Sequence, residues 1–122
     1  MQKLLTGGLA ALLLNSVCVS QNNQSYTPKK KLEVVQCLSE KATMYGAYWC
    51  SACNYQKQEF GPENWNQFKS QYVECSDKGS SQEQDRCDEE NITALPTWKF
   101  TNGKVVIGYK SLDQLADFAG CK

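Results

Sequence analysis

Residues 44–60, MYGAYWCSACNYQKQEF, contain two cysteines, Cys50 and Cys53, directly behind an aromatic pair. The aromatic and small residues before them are typical of a buried strand, which we place at 43–48. Ser51 suits the start of a helix, and good helix formers continue to Phe60. The stretch therefore predicts a strand that leads into a helix, with Cys50 at the junction and Cys53 one turn further on.

This junction favours thiol chemistry at Cys50. The thiolate is the reactive species in disulfide exchange, and a free thiol with a pKa of about 8.5 supplies little of it at neutral pH. Unpaired N–H groups and the dipole at a helix N-terminus stabilise an anion there. The spacing predicts that Cys50 attacks and that the more deeply placed Cys53 resolves the mixed disulfide. A closed structural disulfide is the alternative.

The first twenty residues have the layout of a secretory signal peptide. Lys3 is their only charge, 4–14 is an apolar run, and Cys18 and Ser20 suit positions −3 and −1 of a cut after Ser20. A spanning helix needs about 20 apolar residues, roughly twice this run. We expect export to the periplasm or an equivalent lumen, and a soluble protein after cleavage. The alternatives are membrane-anchored: an uncleaved anchor, or a lipoprotein cut before Cys18.

Charge and length limit the classes of partner. Lys and Arg number 13, as do Asp and Glu, so the net charge is zero and becomes −1 when Lys3 is removed. No basic field is present to attract nucleic acid or a membrane surface. The chain left after cleavage, about 100 residues long, suits one small domain. We expect a monomer that does not bind nucleic acid.

The cysteine count favours disulfides over a metal site. Cys18 would leave with the signal peptide, and an even number of cysteines would remain in an exported chain. Zinc needs four ligands, and the chain has no histidine. A site built from Cys50, Cys53, Cys75 and Cys87 is conceivable, but an oxidising compartment argues against it. No metal or other cofactor is expected.

The rest of the chain predicts an α/β fold. Residues 21–31 are polar and predict a flexible leader, which leaves 32–122 for the domain. Further elements follow from hydrophobic periodicity and from helix and turn signals: helices at 30–40, 63–68, 82–90 and from Ser111 to Gly120, and strands at 71–74, 97–100 and 104–108. Asn102-Gly103 predicts a hairpin between the last two strands. This order predicts a thioredoxin-like fold, a central mixed sheet flanked by helices.

A proline lies just before the third strand, in ITALPTW, residues 92–98. Pro96 has no N–H for a sheet ladder. If the Leu95–Pro96 bond is cis, the chain bends and exposes the Leu95 backbone to an extended peptide. We take Leu95, Pro96 and Trp49 as candidate substrate-binding residues. An ordinary proline at a strand start is the alternative.

Together these motifs carry a family resemblance. WCSAC, 49–53, and LPT, 95–97, resemble the active-site and cis-proline loops of thioredoxin-fold proteins. A closer resemblance adds YVECSDKG, 72–79, and GYKSLDQLADFAG, 108–120, in the same order. Over about 32–120 the chain resembles the thioredoxin-like domain fused to bacterial vitamin K epoxide reductase homologues.

The resemblance implies an extracytoplasmic thiol–disulfide oxidoreductase. Such a domain passes disulfides to cysteine-containing client proteins and is reoxidised by a quinone-linked membrane oxidoreductase of the vitamin K epoxide reductase type. By this resemblance Cys50 and Cys53 are the active pair, and Cys75 and Cys87 are a second, structural pair. Pro96 is the cis-proline. Cys37 and Cys121 are left over. Their pairing stays open, because the helices that carry them could lie on opposite faces of the sheet.

Three departures from the family pattern matter. The membrane enzyme is absent from this sequence, so a separate partner is expected. Ser51 and Ala52 replace a common proline–histidine pair, so no histidine between the cysteines stabilises the thiolate. Met44 lies where thioredoxins proper carry a buried aspartate, which removes a proton acceptor for Cys53. A disulfide reductase of the same fold and a non-catalytic binding or chaperone module are the alternative functions.

Overall fold

The computed structural model describes residues 26–122. The five helices of this region are α1 (Pro28–Lys41), α2 (Ser51–Phe60), α3 (Pro62–Phe68), α4 (Ser81–Glu89) and α5 (Leu112–Ala119). Its four strands are β1 (Ala42–Gly46), β2 (Tyr72–Glu74), β3 (Thr97–Phe100) and β4 (Val105–Ile107). A 3₁₀ turn, Lys69–Gln71, joins α3 to β2. The predicted signal peptide and residues 21–25 of the predicted leader lie outside the described residues.

The strands form one mixed sheet in the order β2-β1-β3-β4. β1 runs parallel to β2 and antiparallel to β3, and β3 and β4 form an antiparallel hairpin. Helices flank this sheet, so the predicted α/β class with a central mixed sheet of thioredoxin type is confirmed. Among residues 26–122, no helix is long and apolar enough to cross a membrane.

The residues of β1 alternate between two cores, as a strand's period of two requires. Met44 lies in the larger core, which contains Trp98 and the apolar sides of α1, α2, α3 and α5. Tyr45 lies in a smaller core with Val73 and Cys87 of α4. Cys87 is the only buried residue of α4, so apolar burial attaches this helix weakly. A Cys75–Cys87 disulfide ties it to the end of β2.

α1 begins two residues earlier than its apolar pattern predicts. The Thr27 side chain accepts a hydrogen bond from the Lys30 amide at 3.2 Å, and Pro28 occupies the first turn, where a missing N–H does no harm. The Tyr26 hydroxyl donates to Asp113 at 2.9 Å and so fastens the chain to α5. The boundary predicted for the flexible leader, 21–31, therefore extends too far, because the cap and the proline at 27–28 already start the helix.

The hairpin between β3 and β4 forms as predicted, and its loop extends over residues 101–104 rather than Asn102-Gly103 alone. The Gly103 amide donates to the Phe100 carbonyl at 2.9 Å, and the Phe100 amide donates to the Lys104 carbonyl at 3.0 Å. Gly103 has a φ of +91°, which glycine adopts at little cost. Asn102 also donates to the Phe118 carbonyl at 2.8 Å, which links the turn to α5.

Helices α1 and α5 pack against each other on the same face of the sheet. The possibility that they lie on opposite faces is therefore wrong. In the structure Cys37 of α1 is bonded to Cys121, just beyond α5, across 84 positions of sequence.

Candidate active site

Cys50 is the N-cap residue of α2, at the junction that the sequence predicts. Its Sγ accepts a hydrogen bond from the Cys53 amide at 3.1 Å, and its own amide donates to the Ala47 carbonyl at 3.1 Å. β1 ends at Gly46, two residues earlier than predicted, because residues 47–49 form this tight turn before the helix. The structure thus directs a backbone N–H and the positive end of the helix dipole at the Cys50 sulfur.

The two thiols differ in access to solvent. The exposed fraction of Cys50 is 8% and that of Cys53 is zero. Neither cysteine forms a disulfide in the structure. A sulfur atom arriving from solution can therefore reach Cys50 first, and Cys53 lies one helical turn beneath it. Burial, followed by the hydrogen bond with Cys50, raises the pKa of Cys53 to about 12. At neutral pH Cys53 is therefore a thiol that must lose its proton before it can attack a disulfide.

Two residues of β2 were not predicted as site residues: Tyr72, which lies near Cys53, and Glu74, which is hydrogen-bonded to Tyr72. Tyr72 and Glu74 are two positions apart on the strand, so their side chains share a face. The Tyr72 hydroxyl donates to Glu74 Oε1 at 2.9 Å, and Glu74 Oε2 accepts from the Tyr48 amide at 3.1 Å. Burial and the hydrogen bond to Glu74 raise the pKa of the Tyr72 phenol, so it stays protonated. The alternation of polar side chains in YVE was the available signal for this pair.

A buried glutamine also escaped prediction from sequence. Gln56 on α2 has no exposed surface, although glutamine is usually a surface residue. Its Oε1 accepts from the Lys110 amide at 2.9 Å and from Trp98 Nε1 at 3.3 Å, and its Nε2 donates to the Lys110 carbonyl at 2.7 Å. These bonds fix α2, and with it Cys50 and Cys53, against β3 and the segment before α5.

The candidate substrate-binding residues lie in two places. Trp49 precedes Cys50 and is 63% exposed, so its ring is open to a partner protein. The Leu95–Pro96 peptide bond is cis, Pro96 is buried, and Leu95 packs against the core that contains both cysteines. Within residues 26–122, no hydrogen bond engages the Leu95 amide or carbonyl.

The other four cysteines of residues 26–122 lie in two bridges. Cys75 is bonded to Cys87, and its amide donates to the Gly46 carbonyl at 2.8 Å, so this bridge adjoins the strand that leads to Cys50. The Cys37–Cys121 bridge belongs to the α1–α5 packing instead. No group of three or more Cys, Asp or Glu side chains in the described part of the chain could hold a metal ion.

The chain was compared with known protein families and proteins. No protein-family model matches the chain. The thiol-disulfide oxidoreductase LTO1 of Arabidopsis thaliana is 39% identical to it over 82 residues. The match covers 65% of this chain and 21% of that protein, so the chain spans about a fifth of its relative's length. The similarity to a thiol-disulfide oxidoreductase is confirmed, whereas the closer resemblance to the domain of bacterial vitamin K epoxide reductase homologues stays a prediction.

Proposed function

We propose that this protein is an extracytoplasmic thiol–disulfide oxidoreductase that donates disulfides to cysteine-containing client proteins. One observation carries the proposal: Cys50 caps α2, retains some exposure, and lies one turn above a buried Cys53 in a thioredoxin-like fold. The similarity to a protein named thiol-disulfide oxidoreductase supports the same chemistry.

The donation step moves two electrons from the client to the Cys50–Cys53 pair. A client thiolate attacks Cys50 of the oxidised pair, a mixed disulfide forms, and Cys53 leaves as a thiolate that takes up a proton. A second client thiolate then attacks the client sulfur of the mixed disulfide. The client disulfide forms and Cys50 leaves as a thiolate, which the α2 N-terminus stabilises.

The return step needs an oxidant, which we propose is a quinone-linked membrane oxidoreductase of the vitamin K epoxide reductase type. The Cys50 thiolate attacks a disulfide of that partner, which breaks and releases one partner sulfur as a thiolate while the other stays bonded to Cys50. Cys53 then attacks Cys50 Sγ and releases that second sulfur as a thiolate. Two electrons thereby pass to the partner and on to the quinone. The family resemblance over about 32–120 supports this partner, and the signal-peptide layout of 1–20 supports the compartment.

Client binding is assigned to the surface around Cys50. The Leu95 amide and carbonyl can pair with the backbone of an extended client segment, as an added strand pairs with a sheet edge. Trp49 offers an exposed aromatic ring next to the reacting sulfur. Backbone pairing requires no particular client sequence, which suits an enzyme that serves many folding proteins.

The redox state of the pair in the cell tests this function. Acid-quenched cells are alkylated, and mass spectrometry of the purified protein gives the fraction of Cys50 and Cys53 that is oxidised. A disulfide donor should be mostly oxidised. The Cys50→Ala/Cys53→Ala variant serves as the control, because it reports alkylation of the other cysteines alone. A mostly reduced pair would favour a reductase, and a pair that never changes state would indicate a non-catalytic module.

A further inference from the structure

The buried thiol of Cys53 presents a proton-transfer problem, because it must lose its proton to resolve a mixed disulfide and regain it when it leaves one. Met44 on β1 is fully buried and cannot accept a proton, although thioredoxins proper carry an aspartate at this place. β1 carries no carboxylate at all, since its five residues are ATMYG. A proton acceptor for Cys53 must therefore come from another element.

Gly46 opens a route from Cys53 to β2. A Cβ atom at Gly46 would lie 3.0 Å from Cys53 Sγ, 3.2 Å from the Tyr72 hydroxyl and 2.9 Å from Tyr72 Cε1. The Cys53 thiol and the Tyr72 hydroxyl therefore both border the space that a side chain at position 46 would fill, and only glycine leaves that space empty. One water molecule can carry a proton between two polar groups that border the same small space.

Glu74 completes the route to solvent. It accepts the Tyr72 hydroxyl hydrogen at 2.9 Å, and the Tyr48 and Ser76 amides hold its other oxygen at 3.1 and 3.2 Å. These bonds fix the carboxylate in place, and its side chain is only half-buried, so it can exchange protons with water.

We propose that Tyr72 and Glu74 form the proton path of Cys53 in disulfide exchange. During resolution the Cys53 proton passes to the Tyr72 oxygen while the Tyr72 proton passes to Glu74. The Cys53 thiolate then attacks Cys50 Sγ, the bond from Cys50 to the bound sulfur breaks, and that sulfur leaves as a thiolate. The reverse transfer protonates Cys53 when it is the leaving group. This path rests on the proposed function, because it has a role only if the pair turns over.

The charges around Cys53 are consistent with such a path. Cys50 and Lys57 face it from α2, and Tyr72 faces it from β2, with Glu74 behind Tyr72. Lys57 Nζ lies 4.5 Å from the centre of the Tyr72 ring. A cation at this place stabilises the thiolate that forms when the proton leaves for Glu74.

Two-phase kinetics with an aromatic disulfide, dithiobis(nitrobenzoate), test the path. In the first phase the Cys50 thiolate attacks the reagent and releases one coloured thiolate. In the second, Cys53 attacks Cys50 and releases another. Glu74→Gln and Tyr72→Phe should each slow the second phase by about 100-fold, the low end of general acid–base effects, and change the first phase less than about twofold.

The pH profile separates proton transfer from a structural effect. In Glu74→Gln the second-phase rate should rise about tenfold per pH unit below the Cys53 pKa, since only the equilibrium thiolate reacts. The wild-type rate should rise less steeply. Tyr109→Phe is the matched control, because its hydroxyl makes the same kind of hydrogen bond, to Glu59 at 2.8 Å, outside the cysteine site.

Three outcomes would overturn the proposal. The first is an unchanged second phase in both variants. The second is an equal slowing of both phases, which would show that Glu74 only holds the Tyr48 turn. The third is a slowing of the second phase by Tyr109→Phe that equals the slowing by Tyr72→Phe. If the wild-type protein releases no second thiolate at all, the proposed oxidoreductase function fails instead.

Discussion

The Cys53→Ala variant should accumulate mixed disulfides between Cys50 and client proteins, whereas Cys50→Ala should accumulate almost none. Cys50 lies at the N-terminus of α2 and is the more exposed of the two cysteines, so it forms the bond to the client. Cys53 has no exposed surface, so it can release the client but cannot capture it. Affinity purification under non-reducing conditions, followed by mass spectrometry of the linked peptides, measures the mixed disulfides formed by each variant.

The Cys50→Ala/Cys53→Ala variant gives the background of this trapping experiment. Of the cysteines in residues 26–122 it retains Cys37, Cys75, Cys87 and Cys121, so an adduct at one of these positions comes from a structural bridge. Equal trapping by the two single variants would contradict the assignment of Cys50 as the attacking thiol. Adducts that form through Cys75 or Cys87 would contradict the assignment of that pair as structural.

Removing the Cys37–Cys121 bridge should cause the largest loss of stability. It closes a loop across 84 positions, and the chain-entropy model assigns such a crosslink about 4.5 kcal/mol. Both side chains are half-buried, so alanine at these positions removes little packing. Cys37→Ala/Cys121→Ala should therefore lower the free energy of unfolding by about 4.5 kcal/mol, a large part of a small domain's stability. Denaturant unfolding followed by tryptophan fluorescence measures the change.

The Cys75–Cys87 bridge provides the matched comparison. It spans 12 positions, so Cys75→Ala/Cys87→Ala should cost about 3 kcal/mol on the same model and should leave Cys50–Cys53 exchange intact. A larger loss from the short loop than from the long one would show that chain entropy does not govern these bridges. Unchanged stability with a collapse of turnover by the oxidising partner would show that Cys75 and Cys87 relay electrons.

The sequence predicts the framework of the site because local signals determine it. The Ser51 helix start sets Cys50 at the α2 N-terminus, and a period of about 3.6 residues places Leu112, Leu115 and Ala119 on the buried face of α5. The Ser111 side chain caps that helix by accepting from the Gln114 amide at 3.2 Å. These features depend on residues within one or two turns of each other.

The proximity of Cys53 to Tyr72 of β2 could not be predicted in the same way. It depends on the parallel register that pairs Gly46 with Glu74, and hydrophobic alternation does not specify that register across a crossover. The Cys37–Cys121 pairing likewise depends on which face of the sheet carries α1 and α5. Gln56 resembles a surface residue in sequence, and only the approach of Trp98 and Lys110 accounts for its burial.

The redox potential of the Cys50–Cys53 pair follows from the same local geometry. Stabilisation of the thiolate at the α2 N-terminus favours the reduced pair and raises the potential. No histidine lies between the cysteines, so the stabilisation should be smaller than in the strongest oxidants of this fold. Thioredoxin-fold proteins range from about −270 to about −120 mV. We expect about −150 to −230 mV, which makes donation to most client proteins favourable.

Equilibration of the protein in glutathione buffers of known ratio is the most direct test of disulfide donation. Acid quenching, alkylation and mass spectrometry then give the oxidised fraction of Cys50 and Cys53 at each ratio. A midpoint between about −150 and −230 mV is the predicted result. A midpoint at or below about −270 mV, the value of thioredoxin, would make donation uphill toward most clients and would establish the reductase direction instead.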